Sequence, residues 1–502
     1  MKKTAITLLI FASMALCANA CTKKKAVATI GGDSIVCLVM DTTNALIGNA
    51  TFTYNKNEKK TTDWSGRVVL PCQEKITVKI EANGYKTLTQ ELRTDAAQPI
   101  IIRLTKAPVA AQKDKSYRGT IRTGCSARKE VYTEDAVYSV KMMDYAAPLA
   151  GAKPEVVEES AIAEMEEAPA RAGGGINIAP AAGKLTAGEV NDFAKWALWS
   201  DILDKTHSQY ISQWKMTARD RYTVQVVGQN RYPVVGRQVS LVSKQGTVFQ
   251  AITDNMGRAE LWNGLCGPAA EGPLWVAVDG KRTEIKADRF ITIETEDECD
   301  APETADVMFV MDATGSMGDE LRYMTAELQD VIARSEHAVE GVTIRTGAIV
   351  YRDHGDAYLT RISRLTEDIN ETQTFLNKQE ANGGGDYEEA IPEALMATIN
   401  AAGWSDNARA RIAFLIFDAP CHDDSATIAM LHEQVLNAAA MGIRLVPVVC
   451  SGLREAGELL ARTLALATNG TAFFLTDDSG IGHSHLKPTT DSIKVEHLND
   501  MM

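Results

Sequence analysis

The sequence predicts a multidomain chain in which a C-terminal α/β domain, built on a doubly wound parallel sheet, follows two all-β sandwich modules. Three observations predict it. Residues 30–105 and 220–296 alternate short β-branched and aromatic runs with turn residues. Both stretches carry the pattern T-D-x-x-G-R-x-x-L, at Thr62 to Leu70 and at Thr253 to Leu261. From Ala305 the period changes, and buried apolar runs alternate with amphipathic helical stretches over about 175 residues.

The first element, MKKTAITLLIFASMALCANAC, has two lysines, an apolar run from Ala5 to Cys17 and small residues at Ala18 and Ala20, which reads as a secretory signal over residues 1–20. Cleavage before Cys21 leaves a cysteine that resembles the lipid acceptor of bacterial lipoproteins, although A-N-A also suits an ordinary signal peptidase. Export to a bacterial cell envelope, at the outer membrane or in the periplasm, follows as an expectation. No later stretch approaches the ~18 uninterrupted apolar residues of a membrane-spanning helix, so membrane attachment is expected only through Cys21. With 45% hydrophobic and 24% charged residues, most of the 502-residue chain should fold. A net charge of -14 argues against a nucleic-acid binder and suits divalent cations or basic partners.

An oxidising compartment makes the nine cysteines informative. Cys17 leaves with the signal, and candidate disulfides pair Cys37 with Cys72, Cys266 with Cys299 and Cys421 with Cys450, leaving Cys125 alone. Buried free thiols are the alternative.

The first β module is placed at residues 26–106, with runs such as SIVCLVM, GRVVL and KITVKIEA, and the second at 220–297, with YTVQVV, RQVSLVS and RAELW. The shared nine-residue pattern reads as a strand end, a tight turn and a new strand, repeated within the chain. Both copies resemble carboxypeptidase-regulatory-like or Ig-like β-sandwich modules of bacterial surface proteins, a resemblance that implies spacing or presentation. Between them, residues 107–184 form a linker whose Ala/Pro/Gly/Glu-rich part cannot bury enough apolar area to order itself. Residues 185–219 are expected to be helical, with Phe193, Trp196 and Trp199 at helical spacing and packed on the adjacent β module.

The α/β domain is placed at 304–478, with a tail at 479–502. Ligands of such sheets bind at the carboxyl ends of the strands. There the chain places Asp312, Thr314 and Ser316 after the strand DVMFVMD, Asp386 in a GGGD loop, and Asp418 at the end of FLIFD. Hard oxygen donors on three strand-end loops suit Mg²⁺, Mn²⁺ or Ca²⁺ rather than zinc or copper. Taken singly, Thr314 and Ser316 could cap the following helix, and the aspartates could be turn residues. Asp353, His354 and Asp356 form a further polar loop near the same rim.

This combination resembles the von Willebrand factor A domain, a Rossmann-like fold, and its metal-ion-dependent adhesion site. The resemblance implies Asp312, Thr314, Ser316 and Asp418 as cation ligands, with Mg²⁺ foremost. It sets Asp386 where the family has threonine, and implies a protein ligand whose acidic residue completes the coordination. The expected role is therefore cation-dependent binding on an exported, lipid-anchored protein that is not an enzyme. Two other readings stand beside it: an envelope scaffold that binds its partner without metal, and a metal-dependent hydrolase using Asp386, His354 or His422.

Overall fold

The computed structural model describes residues 34–55, 57–71, 74–107, 180–285, 287, 289–297, 302–335 and 340–502. The signal segment, Cys21, most of the linker, Cys72, Cys125 and Cys299 lie outside them. Among the described residues, no helix is long and apolar enough to cross a membrane.

The first module has seven strands: β1 (Ser34–Asp41), β2 (Thr51–Tyr54), β3 (Glu58–Thr61), β4 (Arg67–Pro71), β5 (Lys75–Glu81), β6 (Leu88–Arg93) and β7 (Ile100–Leu104). They form two sheets, ordered β4-β1-β7 and β3-β2-β5-β6. Strand side chains alternate between faces, so β5 buries Ile76, Val78 and Ile80 while its lysines face solvent. After β8 (Thr186–Val190) and the helices α1 (Trp196–Asp204) and α2 (Ile211–Trp214) comes the second module. Its strands are β9 (Asp220–Val227), β10 (Gln238–Val242), β11 (Thr247–Ile252), β12 (Arg258–Asn263), β13 (Trp275–Val278), β14 (Lys281–Glu284) and β15 (Phe290–Glu294). The orders β12-β9-β15 and β11-β10-β13-β14 reproduce the first module strand for strand.

The repeated nine-residue pattern does the same structural task twice. Thr62 Oγ1 donates to the Ile47 carbonyl at 2.8 Å, and Thr253 Oγ1 to that of Val234 at 2.6 Å. Asp63 and Asp254 accept from the backbone N–H groups of Arg67 and Arg258 at 3.1 and 2.9 Å, closing the turn. Gly66 and Gly257 adopt φ of 71° and 72°, and a Cβ there would lie 2.4 Å from the Val39 carbonyl oxygen or 2.5 Å from that of Val226. Only glycine fits both the left-handed conformation and the close approach.

The α/β domain runs β16 (Thr304–Asp312), α3 (Leu321–Ser335), β17 (Thr343–Tyr351), β18 (Thr360–Thr366), α4 (Ile369–Leu376), α5 (Ile391–Ala401), β19 (Ala410–Phe417), α6 (Ser425–Met441), β20 (Ile443–Val449), α7 (Glu455–Ala467) and β21 (Ala472–Leu475). Strand β22 (Val495–His497) and helix α8 (Leu498–Met501) end the chain. The sheet order is β18-β17-β16-β19-β20-β21-β8-β22. Alternate residues of β16 serve opposite faces: Met308 and Val310 pack with α5, α6 and α7, and Phe309 and Met311 with α3 and α4. Helices on both faces make the sheet doubly wound.

Three expectations need correction here. The sheet is parallel only from β17 to β21, because β18 pairs antiparallel with β17 and β8 antiparallel with both β21 and β22. The segment expected to open a helix at Leu185 is instead strand β8, which takes the free edge of β21; helix begins only at Trp196. Residues 479–502 are no loose tail, since β22 extends the sheet beyond β8 and Leu498 is fully buried. An uncovered edge strand presents unpaired N–H and C=O groups, and these short segments satisfy them. The sequence of β8, TAGEV, has too few apolar residues to show strand alternation by itself.

The expected disulfide between Cys421 and Cys450 does not form. Both are free and fully buried, and they sit in separate cores on opposite faces of the sheet. Cys37 and Cys266 are also free thiols, each pushed up to about 12 by burial.

The β modules pack on the α/β domain. Val224, Leu241 and Trp262 of the second module share one apolar core with Leu415, Leu431 and Leu464. The first module lays residues 44–46 along β18, with the Leu46 N–H donating to the Thr360 carbonyl at 3.0 Å and the Ile362 N–H to that of Asn44 at 3.1 Å. The aromatics of the 185–219 segment cover the second module as expected: the rings of Phe193 and Trp196 lie 6.4 and 5.8 Å from that of Trp262, and the Arg221 guanidinium lies 4.5 Å from the Phe193 ring. A buried ion cluster ties the segment after β8 to the one before β22. Arg462 on α7, fully buried, donates to Asp192, to Glu458 and to the Thr489 carbonyl.

Candidate metal centre

Asp312 is the last residue of β16, and an apolar strand carries it into the protein with no solvent exposure. Its Oδ1 accepts from the Thr314 N–H at 2.8 Å and from Thr314 Oγ1 at 2.7 Å; Thr314 Oγ1 lies 3.2 Å from Ser316 Oγ. The hydroxyl of Thr314 does not cap the short 3₁₀ turn that follows, and α3 starts only at Leu321. The helix-cap reading of this stretch is therefore not what the structure adopts for Thr314. Asp418, one residue beyond β19, is 5% exposed, and the Ser316 hydroxyl favours its charged form.

Glu389 completes the group, and sequence reasoning did not single it out. It lies just before α5, is 2% exposed, and its N–H donates to the Pro420 carbonyl at 2.8 Å. The available signal was its spacing from Glu393, four residues on, which puts two carboxylates on the buried face of an otherwise apolar helix start.

Asp312 Oδ2, Glu389 Oε2 and Asp418 Oδ1 are each buried without a hydrogen-bond partner. Buried anionic oxygens of this kind are costly unless protons or a cation compensate them. The proton affinities reflect that cost. Burial, reinforced by Asp418, raises Asp312 to about 7; burial, reinforced by Asp312 and Asp353, raises Glu389 to about 9; burial, reinforced by Glu320, raises Asp418 to about 6. An oxygen-only set of carboxylates and hydroxyls fits a hard divalent cation, and Asp312, Asp418, Glu389, Thr314 and Ser316 are the residues that could hold it.

The pH response of the cation-free protein follows from these values. The folded state retains protons that the unfolded chain releases near 3.8 to 4.5. The penalty is absent below about pH 4 and grows as pH rises through 6, 7 and 9, so folding stability falls across that window. Thermal melts in EDTA are expected to drop steadily from pH 5 to about 9, and saturating Mg²⁺ to remove most of the decline. Melts in EDTA that stay flat over this range would contradict the arrangement.

Asp386 is exposed and does not share this pattern of burial. It meets Asp353 and His422, with one ligand atom from each within 4.8 Å of the others. The remaining rim residues have separate tasks. Asp356 Oδ2 accepts from the Gly384 N–H at 2.9 Å and from the Asp353 N–H at 3.2 Å. A Cβ on Gly383, which adopts φ of 82°, would lie 2.4 Å from the Asp356 carboxylate, so glycine is needed for the loop to close there. The Gly383 carbonyl in turn accepts from the Gly315 N–H at 3.1 Å, which seats the GGGD loop over Thr314. His354 Nε2 pairs with Glu393 at 2.8 Å, and its ring meets Trp64 of the first module edge-on at 5.5 Å. Asp424 caps α6 by accepting from the Ala426 and Thr427 N–H groups.

On the other side, Glu320 is 2% exposed and accepts from His485 Nε2 at 2.8 Å, while His485 Nδ1 faces Asp477 at 2.9 Å. The supposed tail thus reaches back to a carboxylate that acts electrostatically on Asp418.

Residues 306–449 match the family model of the von Willebrand factor A domain. This stretch is similar to the von Willebrand factor A domain. The match begins two residues into β16 and ends with β20, so it spans the loops that carry Asp312, Asp386 and Asp418. The A domain points to a protein-interaction function. The chain is also 34% identical over 85 residues to an ariadne-like RING finger protein of Acanthamoeba polyphaga mimivirus. That alignment takes in 17% of this chain and 8% of the viral protein, so the chain spans a small fraction of that relative's length.

Proposed function

We propose that this protein binds a partner protein through a divalent cation held at the carboxyl edge of its A domain. The observation that carries the reading is that Asp312 Oδ2, Glu389 Oε2 and Asp418 Oδ1 are three buried oxygens without partners on carboxyls that act electrostatically on one another, with the paired hydroxyls of Thr314 and Ser316 next to Asp312 in sequence. Such a set suits Mg²⁺, with Mn²⁺ or Ca²⁺ as alternatives. A bound cation would supply a Lewis-acidic position to which an acidic residue of the partner can coordinate. The chain's own residues fix the ligand oxygens, exclude bulk water from Asp312, and hold the GGGD loop across the site through Asp356.

The leader and Cys21 support placement of the protein in a bacterial cell envelope, held by a lipid anchor. The reading is of a binding protein and not an enzyme: His354 is engaged with Glu393 and with Trp64 of the first β module. The test is capture of a partner from envelope extract by the full-length protein, with and without EDTA, alongside Asp312→Ala. The expected partner is retained only by wild type with Mg²⁺ present. Retention that survives both EDTA and the substitution would replace this reading with metal-independent scaffolding.

A further inference from the structure

We infer that Asp353, Asp386 and His422 form a second cation site, distinct in chemistry from the oxygen-only centre beside it. The three residues come from three different loops: Asp353 after β17, Asp386 between α4 and α5, and His422 after β19. Each offers one ligand atom, and these atoms lie within 4.8 Å of one another, a spacing that one ion can bridge. Asp353 is 8% exposed, and its Oδ1 is buried without a hydrogen-bond partner. That oxygen faces His422 Nε2 at 3.5 Å, too far for a hydrogen bond and wide enough to leave room for an ion between them.

The donor set decides the class of ion. One imidazole nitrogen with two carboxylates favours borderline cations such as Zn²⁺ or Fe²⁺, and accepts Mn²⁺ more readily than Mg²⁺ or Ca²⁺. Three protein ligands, with Asp386 exposed and His422 half-buried, leave coordination positions open to water or to a ligand. An ion here would tie the GGGD loop to its neighbours at a second point, beyond the Asp356 contact with the Gly384 N–H. The arrangement also accounts for an aspartate at position 386, which the oxygen-only centre does not use as a buried donor. The site does not depend on the oxygen-only centre being occupied, so the two can be tested apart.

Mn²⁺ serves as the probe because its pulsed electron paramagnetic resonance reports directly coordinated nitrogen, which the oxygen-only centre lacks. Full-length protein saturated with Mn²⁺ is expected to show imidazole nitrogen coupling. His422→Gln should abolish that coupling and weaken one class of Mn²⁺ binding by about 100-fold or more, since even the loss of residues that merely support a metal ligand costs 10–100-fold. Asp386→Asn, at an exposed position that the fold tolerates, should weaken the same class while leaving the melting temperature in EDTA unchanged. Asp312→Ala should retain the nitrogen coupling, which separates failure of the oxygen-only centre from failure of this one. Absence of nitrogen coupling in the wild type, or its persistence in His422→Gln, overturns the proposal.

Discussion

Asp312→Ala is expected to abolish Mg²⁺ binding and, in the same protein, to raise the melting temperature measured in EDTA. The two effects have one cause. Asp312 is fully buried beside Asp418 and Glu389, and in the cation-free protein it is both desolvated and repelled. Removing it relieves that repulsion, so the cation-free fold gains stability. The cation loses a central ligand and its affinity should fall by about 100-fold or more. Wild type at a Mg²⁺ concentration 100 times its dissociation constant should gain about 2.7 kcal/mol of stability over its EDTA state, and the variant close to none. Asp312→Asn, of the same shape, separates loss of charge from loss of volume and should also fail to bind. Calorimetric titration gives the affinities and thermal melts the stabilities. A variant that binds Mg²⁺ as tightly as wild type would remove Asp312 from the site.

The largest loss of stability is expected from Arg462→Met. Its guanidinium, with no solvent exposure, donates from Nε at 2.9 Å and Nη2 at 2.5 Å to Asp192, and from Nη1 at 2.7 Å to Glu458 and 2.8 Å to the Thr489 carbonyl. Methionine preserves much of the volume but leaves Asp192 and Glu458 buried, at 5% and 1% exposure, without their counter-charge. Breaking a buried cluster from one side costs about 3–5 kcal/mol. The damage should centre on the β8 edge, because Asp192 follows β8 and Thr489 precedes β22. Faster hydrogen exchange in β8 and β22, together with a lower melting temperature, is the predicted pattern. The triple change Arg462→Met, Asp192→Asn and Glu458→Gln should recover part of the loss, because it removes the stranded charges as well. A single variant that melts with wild type would show that the cluster contributes nothing net.

Much of this molecule is legible in its sequence. The strands β16, β19 and β20 are short apolar runs between amphipathic helices, a pattern carried by local periodicity. The repeat is legible because Gly66 and Gly257 answer the same steric demand, a left-handed turn pressed against a carbonyl, and that demand selects the residue type. Asp312 and Asp418 stand out because each interrupts an apolar run at a strand end.

The rest depends on contacts between segments far apart in sequence. TAGEV carries no strand pattern of its own; it is a strand because β21 has an edge to fill, and Val495–His497 joins because β8 then has one. Glu389 resembles any acid at a helix start until the fold buries it against Asp312 and Asp353. Asp386, aligned by its loop with the oxygen-only set, goes instead to Asp353 and His422, since burial and the Asp356 anchor determine where the glycine loop turns. Cys421 and Cys450 are divided by the thickness of a sheet. Taken alone, the chain determined its periodic elements, its repeat and the residue types at its strand ends, because local sterics and hydrophobic pattern act over a few residues. Which of those oxygens share a site, and which edges are closed, only the tertiary structure decided, because burial and charge repulsion arise only when distant segments meet.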